Sequence, residues 1–260
     1  NLDVSPGVKV VSSLQRIATG STTLTQQYSY YGAVYNVEGL GFLGFKGVAI
    51  SNWHTGSSDK IYSTSIYDPL LRGAIVEEYS QQGYFQFWSS PSYYITKTSY
   101  VNSSSLLTNK VFKLRVDSSL NQNSIEGTYT NTSYQYDSFL NTTQVNINYS
   151  GDGSSVVTTS YDNNTGTNYY VGKVLTENQT NIVGSESFSS TKEFVYNGYL
   201  IFQKKTKGNG TPFDIEEYEY DLYGNVTKKT ITPYNSTPRQ ILFEYDNSGR
   251  FLEKSTDVEG

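Results

Sequence analysis

The chain has 260 residues, of which 36% are hydrophobic, 15% aromatic and 17% charged, and its net charge is −5; this length suits one large all-β unit or two small domains. With no dense Lys/Arg cluster and no apolar run of about 18 residues, the sequence argues against a nucleic-acid footprint, an anionic-membrane patch, a helical membrane span and a retained signal peptide. Cys is absent, which excludes a disulfide framework and a thiolate metal site.

Tyr occurs 25 times and Phe 12 times, beside 22 Gly and 6 Pro. Tyr, Thr and Val fit a half-buried pleated surface, so this composition predicts strands. Met is absent and the chain opens on NLDVSPG, so the expectation is a mature product or a piece excised from something longer. No window of a dozen residues carries an i, i+3, i+4, i+7 apolar stripe, whereas short-range alternation recurs. It begins with GVKVVSSLQRIAT from Gly7, after a Ser5-Pro6-Gly7 turn signal. It returns in KVFKLRV from Lys110, QVNINY from Gln144 and EFVYNGYLIFQKK from Glu193. Turn signals at GDGSS, DNNTG, KGNGTP and NSG separate such runs, at the spacing of successive antiparallel hairpins.

Candidate chemistry is sparse along the same path. His54 is the sole histidine, so a His-based triad or multi-His metal site has no second member, and a structural or surface role beside Trp53 is expected. Adjacent strand residues point to opposite faces, which makes Glu77/Glu78 and Glu216/Glu217 poor acid/base pairs; Glu217 and Glu219 share a face. Asp162, Asn164 and Asn168 alternate in YDNNTGTN, but the loop lacks the Gly and closing Glu of an EF-hand and reads as a polar turn. KGNG, with Gly208 and Gly210, lacks the spacing of a phosphate-binding loop. No cofactor is expected.

Near the end of the chain one pattern is written twice: YEYDLYGN from Tyr218 and FEYDNSGR from Phe243. Alternation puts Tyr218 and Tyr220 on one face with Glu217 and Glu219 on the other, and likewise Phe243 and Tyr245 against Glu244. Tyr220 and Tyr245 close strands, the carboxylates of Asp221 and Asp246 accept turn amides, and Gly224 and Gly249 take the positive-φ corner. These six are expected to be structural turn residues. The aromatic-x-Tyr half recurs at Tyr28–Tyr30, Tyr134–Asp137 and Phe194–Gly198. The result is a degenerate internal repeat whose units bury their aromatic face only by stacking side by side.

Residues 218–260 resemble the YD repeats of Rhs and teneurin-type proteins. YSYYGAVYNVEGLGFLGFKGV from Tyr28, TSIYDPLLRGAIVEEYSQQG from Thr64 and YVGKVLTENQT from Tyr170 resemble the region of SpvB-like and insecticidal Tc toxin B components that leads into such repeats. The resemblance implies an all-β fold in which successive antiparallel hairpins form a curved strip, part of a hollow shell. Residues 1–130 would be SpvB/Tc-toxin-like hairpins and 131–260 degenerate YD repeats, within a longer protein. Leu140 and Asn197 depart from the pattern at the Gly and Asp positions, so those two hairpins are expected to use other turn types.

The first functional reading is a non-enzymatic shell segment. It would enclose, and help deliver, a C-terminal toxin or effector from a secreted or cell-surface bacterial protein. Its partners would be the remainder of the same polypeptide shell and the enclosed effector, with secretion machinery or surface glycans as further candidates. The alternative is a cell-surface adhesion or carbohydrate-binding module that uses Trp53 and Trp88.

Overall fold

The computed structural model describes residues 7–17, 19–36, 41–88, 93–107 and 111–259. Among them the chain is all-β, with 17 strands, one 3-10 turn at Pro69–Leu71 and no α-helix. The alternation that starts at Gly7 forms a strand only at Ser13–Arg16. Ser5 and Pro6 of the first turn signal, Ala18, residues 37–40 and Lys110 lie outside the described residues.

The chain divides into two compact units, Asn1–Ser133 and Tyr134–Gly260. The first contains β1 (Ser13–Arg16), β2 (Leu24–Asn36), β3 (Gly41–Ser51), β4 (Ile61–Asp68), β5 (Ala74–Gln82), β6 (Thr96–Leu106) and β7 (Phe112–Asn123), followed by β8 (Thr128–Tyr136), whose last three residues open the second unit. Each of these strands pairs antiparallel with the next. The second unit continues with β9 (Thr142–Tyr149), β10 (Gly153–Asn164), β11 (Tyr170–Val183), β12 (Glu186–Asn197), β13 (Leu200–Lys207), β14 (Asp214–Tyr220), β15 (Val226–Thr232), β16 (Arg239–Tyr245) and β17 (Leu252–Glu259). From β9 onward, too, each strand pairs antiparallel with its successor. Within each unit the elements that pack most extensively are these sequence neighbours, with the 3-10 turn resting on β3.

A sandwich would bury one side chain in two along every strand. Here, among the described residues, the buried hydrophobic residues are Ala49, Tyr62 and Tyr79, all in the first unit. Tyr62 and Tyr79 are met by residues 85 and 86, which follow β5. The Tyr79 hydroxyl donates to the Gln86 carbonyl, and the Gln86 amide donates back to that hydroxyl at 3.1 Å. Gln81 Nε2 donates to the Tyr93 carbonyl at 2.8 Å. Phe87 stacks on Tyr31 with centroids 5.6 Å apart, and Phe85 bridges Phe87 and Tyr62 at 5.1 and 4.7 Å. A Cβ on Gly47 would lie 2.4 Å from the Phe87 ring, so the strand beneath must be bare at that point.

Removing Phe87 tests this packing. Phe87→Ala is expected to lower the unfolding free energy by about 2 kcal/mol, less than a fully buried Phe because the ring is half-buried. Trp88→Ala changes a neighbouring side chain that is 73% exposed, and is expected to stay within about 0.5 kcal/mol. Urea unfolding of the two variants checks the contrast.

Candidate functional site

The Tyr-Asp turns at Asp221 and Asp137 share one geometry. Asp221 Oδ1 accepts from the amides of Tyr223 and Asn225, both at 2.9 Å, and Oδ2 accepts from Asn225 Nδ2 at 2.9 Å. The Gly224 amide donates to the Asp221 carbonyl at 3.2 Å, and Gly224 has φ of 87°. Asp137 repeats this set with Phe139 and Asn141. Leu140 occupies the glycine position of that turn and itself adopts φ of 70°, so the departure at Leu140 does not change the turn type. The carboxylate bonds hold the loop closed around a residue in a left-handed conformation that a Leu rarely adopts. At Asn197 the turn does differ: Asn197 pairs with Leu200 around a two-residue Gly198-Tyr199 corner, with Gly198 at φ of 61°.

Asp246 Oδ1 accepts from the amides of Arg250 and Phe251, and Oδ2 from Ser248 Oγ at 2.5 Å. The Ser248 hydroxyl and the Phe251 amide, aided by the Arg250 amide, outweigh burial and bring its carboxyl down to about 2. Burial pushes Asp221 up, but the Asn225 side chain and the amides of Asn225 and Tyr223 hold it below its usual value. Asp137 is lowered in the same way by Asn141, Phe139 and Asn163.

Neighbouring turns are also tied to each other. Asn225 Nδ2 donates to the Gly249 carbonyl at 2.8 Å, and the Tyr223 ring lies where a Cβ on Gly249 would stand, at 2.4 Å. Asn141 and Asn163 share a bond at 3.1 Å, and Asn163 Oδ1 accepts from the Gly172 amide.

The strand-closing Tyr has a second role, which the sequence pattern alone does not show. A register shift immediately precedes Tyr35, Tyr67, Tyr161, Tyr196, Tyr220 and Tyr245. A bulge of this kind splays the strand from its other neighbour and leaves backbone groups beyond the ladder in need of partners. On the side toward the preceding strand, the β13–β14 ladder ends at Gln203↔Glu217. Two residues beyond it, the Ile201 carbonyl accepts the Tyr220 hydroxyl at 2.6 Å. The β9–β10 ladder ends at Gln144↔Thr158, and the Thr142 carbonyl accepts the Tyr161 hydroxyl at 2.8 Å. The β11–β12 ladder ends at Thr176↔Glu193, and Tyr196 is hydrogen-bonded to the Val174 backbone. In the first unit the β5–β6 ladder ends at Glu77↔Ser99, and Asn102, at its own register shift, donates to the Ile75 carbonyl at 2.8 Å. The spacing is the same in all four: three residues forward on one strand, two back on the other.

The remaining candidates do not converge on one another. His54 is buried and forms a two-way backbone bridge with Thr25, both bonds at 2.9 Å. Trp53 and Trp88 are 39% and 73% exposed. Glu77 pairs with Lys97 at 3.0 Å, and Glu78 accepts from Ser65 and Tyr100. Glu217 accepts from Gln203, and Glu219 pairs with Lys228 at 2.9 Å. Glu216 stands on the same face as Tyr218, whose hydroxyl it accepts at 2.5 Å, and meets Lys229 at 3.0 Å and Lys204 at 3.4 Å. The division into an aromatic face and an acidic face is therefore corrected: both faces carry charge, paired across strands.

The second unit also holds an open cleft of about 560 Å³. Asp162, Asn164 and Asn168 line one side, Tyr196 and Tyr199 the other, with Tyr170 and Lys173 between them. Lys173 Nζ donates to the Gly198 carbonyl at 2.8 Å and lies 4.0, 4.9 and 5.7 Å from the ring centroids of Tyr170, Tyr196 and Tyr199.

Solved structures of the Tc toxin chains TcdB2-TccC3 share this fold. The structure without the hypervariable C-terminal region has a TM-score of 0.62 at 8% identity, covering 90% of this chain and 20% of that one. A second TcdB2-TccC3 structure gives 0.63 at 8% identity, covering 90% and 21%, and TcdB2-TccC3-Cdc42 gives 0.61 at 8%, covering 90% and 20%. This chain thus spans about a fifth of the length of those structures, and at this identity the likeness is one of fold. No family model and no curated protein matches the sequence.

The carboxylate bonds imply a pH dependence with a defined sign. Asp246 falls from the ordinary 3.8 to about 2, so its contribution to stability is complete above 3.8 and lost as pH drops through about 2. The urea midpoint is expected to decline between about pH 4 and pH 2. In Asp246→Asn part of that decline should disappear, which parallel titrations of the two proteins would show.

Proposed function

We propose that the chain is a wall segment of an Rhs/YD-repeat shell. It encloses a passenger toxin or effector and helps deliver it from a secreted or cell-surface bacterial protein. The observation that carries this reading is the neighbour-to-neighbour construction of each unit, in which one hairpin's side chains complete the backbone bonding of the hairpin before it. A structure of this kind extends by adding hairpins and needs no facing sheet, which suits a wall. The likeness in fold to TcdB2-TccC3 supports the reading. So do the motifs at residues 218–260.

Tyr220, Asp221, Gly224, Tyr245, Asp246 and Gly249 act in this account as structural residues. Glu216 and Glu219 pair with Lys residues, Asp221 accepts turn amides, and the single His is buried, with its backbone in a bridge to Thr25. In this reading the wall is mechanical and does not catalyse. Its partners are the remainder of the same polypeptide and the enclosed passenger. The adhesion reading, with Trp53 and Trp88 as sugar contacts, rests on their exposure alone.

The test uses the full-length polypeptide that carries this chain. Electron microscopy should show a closed hollow particle with this segment in its wall, and the passenger should survive proteinase K in the native particle but not as an isolated domain. A solid or extended particle, or a passenger digested equally fast in both settings, overturns the reading.

A further inference from the structure

We propose that the cleft between the 165–169 connection and the tip of the β12–β13 hairpin binds a neutral sugar. This site is separate from Trp53 and Trp88 and does not depend on whether the chain encloses anything. At about 560 Å³ the cleft falls in the size range of small-molecule sites. Its walls combine two kinds of surface. Tyr170 and Tyr199 meet edge to face, with centroids 6.1 Å apart at 87°, and Tyr199 is 65% exposed at the hairpin tip. Across the cleft from Tyr199, and beside Tyr170, stand a carboxylate and two side-chain amides, Asp162, Asn164 and Asn168. Aliphatic C–H faces pack on rings, while hydroxyls need both donors and acceptors. A pyranose presents both.

Charge decides which sugar. An aromatic cage attracts ammonium groups, but here Lys173 already fills it, with its ammonium bonded to the Gly198 carbonyl. A cationic ligand therefore has no place among the rings. An anionic ligand would face the Asp162 carboxylate, which lies across the ladder from Lys173 and accepts the Tyr170 hydroxyl at 2.5 Å. Lys173 lies against the rings of Tyr170, Tyr196 and Tyr199, and Asp162 accepts the Tyr170 hydroxyl. The surface left for a ligand is thus aromatic and hydrogen-bonding, with one positive and one negative charge, Lys173 and Asp162.

The experiment is saturation-transfer NMR on the 260-residue chain with the methyl glycosides of glucose, galactose, mannose and N-acetylglucosamine at millimolar concentration. At least one should receive saturation, strongest at its ring C–H protons. Tyr199→Ala is expected to weaken binding by about tenfold, while Tyr199→Phe, which keeps the ring, and Trp88→Ala, which lies in the other unit, preserve it. Asn168→Ala, at an exposed loop position, gives a second variant whose folding is not in question, and it should also weaken binding. Circular dichroism confirms each fold. Absence of transfer to all four glycosides overturns the proposal. So does transfer that survives both Tyr199→Ala and Asn168→Ala, or stronger transfer to the methyl glycosides of glucuronate or glucosamine, run beside the four as charged controls.

Discussion

A tyrosine hydroxyl reaching back to the backbone of the preceding hairpin is the interaction on which the second unit depends most. In that unit Tyr161, Tyr196, Tyr220 and Tyr245 each follow a register shift and each precede an Asp or Asn. The bulge parts the strand from its predecessor too early. Without Tyr161 and Tyr220, the carbonyls of Thr142 and Ile201 would lose these partners at a half-buried position. With them, the ladder in effect continues by one side chain. At Tyr220-Asp221 the turn and the inter-hairpin bond are therefore two ends of one device.

This construction has consequences for what else holds the units. Where no second layer covers a sheet, apolar burial is shallow and cross-strand pairs on both faces carry more of the load. The Glu216 cluster shows how polar such a face can be. Burial, and then the neighbouring Glu216 carboxylate, push the Tyr218 hydroxyl far above its usual value; burial pushes Glu216 up as well, but the Tyr218 hydroxyl, Lys229 and Lys204 hold it below its usual value. Exposed pairs such as Lys254–Glu244 add little singly, since solvent screens them. The first unit solves the same problem differently, by laying Phe85 and Phe87 over β3 and β4, and there the few fully buried side chains lie.

The strands were legible because alternation and turn signals are local. The turn role of Asp was legible at Asp221 and Asp246, where Gly follows at the expected place. It was misread at Asp137 because Leu140 hides the glycine position; the carboxylate bonds there outweigh the backbone preference of a Leu. The backward hydroxyl bond was not legible at all, since it links residues about twenty apart through a register set by the ladder. Asn102 is the clearest case: it does the work of a Tyr with no motif around it, and only the pairing Glu77↔Ser99 reveals the equivalence. The cleft was missed for a like reason. YDNNTGTN reads as a polar turn, and Tyr199 comes beside it only through the β11–β12 pairing.

Tyr220→Phe tests the central claim most directly, because it removes one hydroxyl and leaves the ring, the bulge and the Asp221 turn in place. Site-resolved hydrogen exchange should show a loss of about 1 kcal/mol, the usual worth of such a bond, confined to β12–β14. Protection in β2–β5 should be unchanged. Unaltered exchange around Ile201, or a loss of protection spread evenly over both units, would contradict the account.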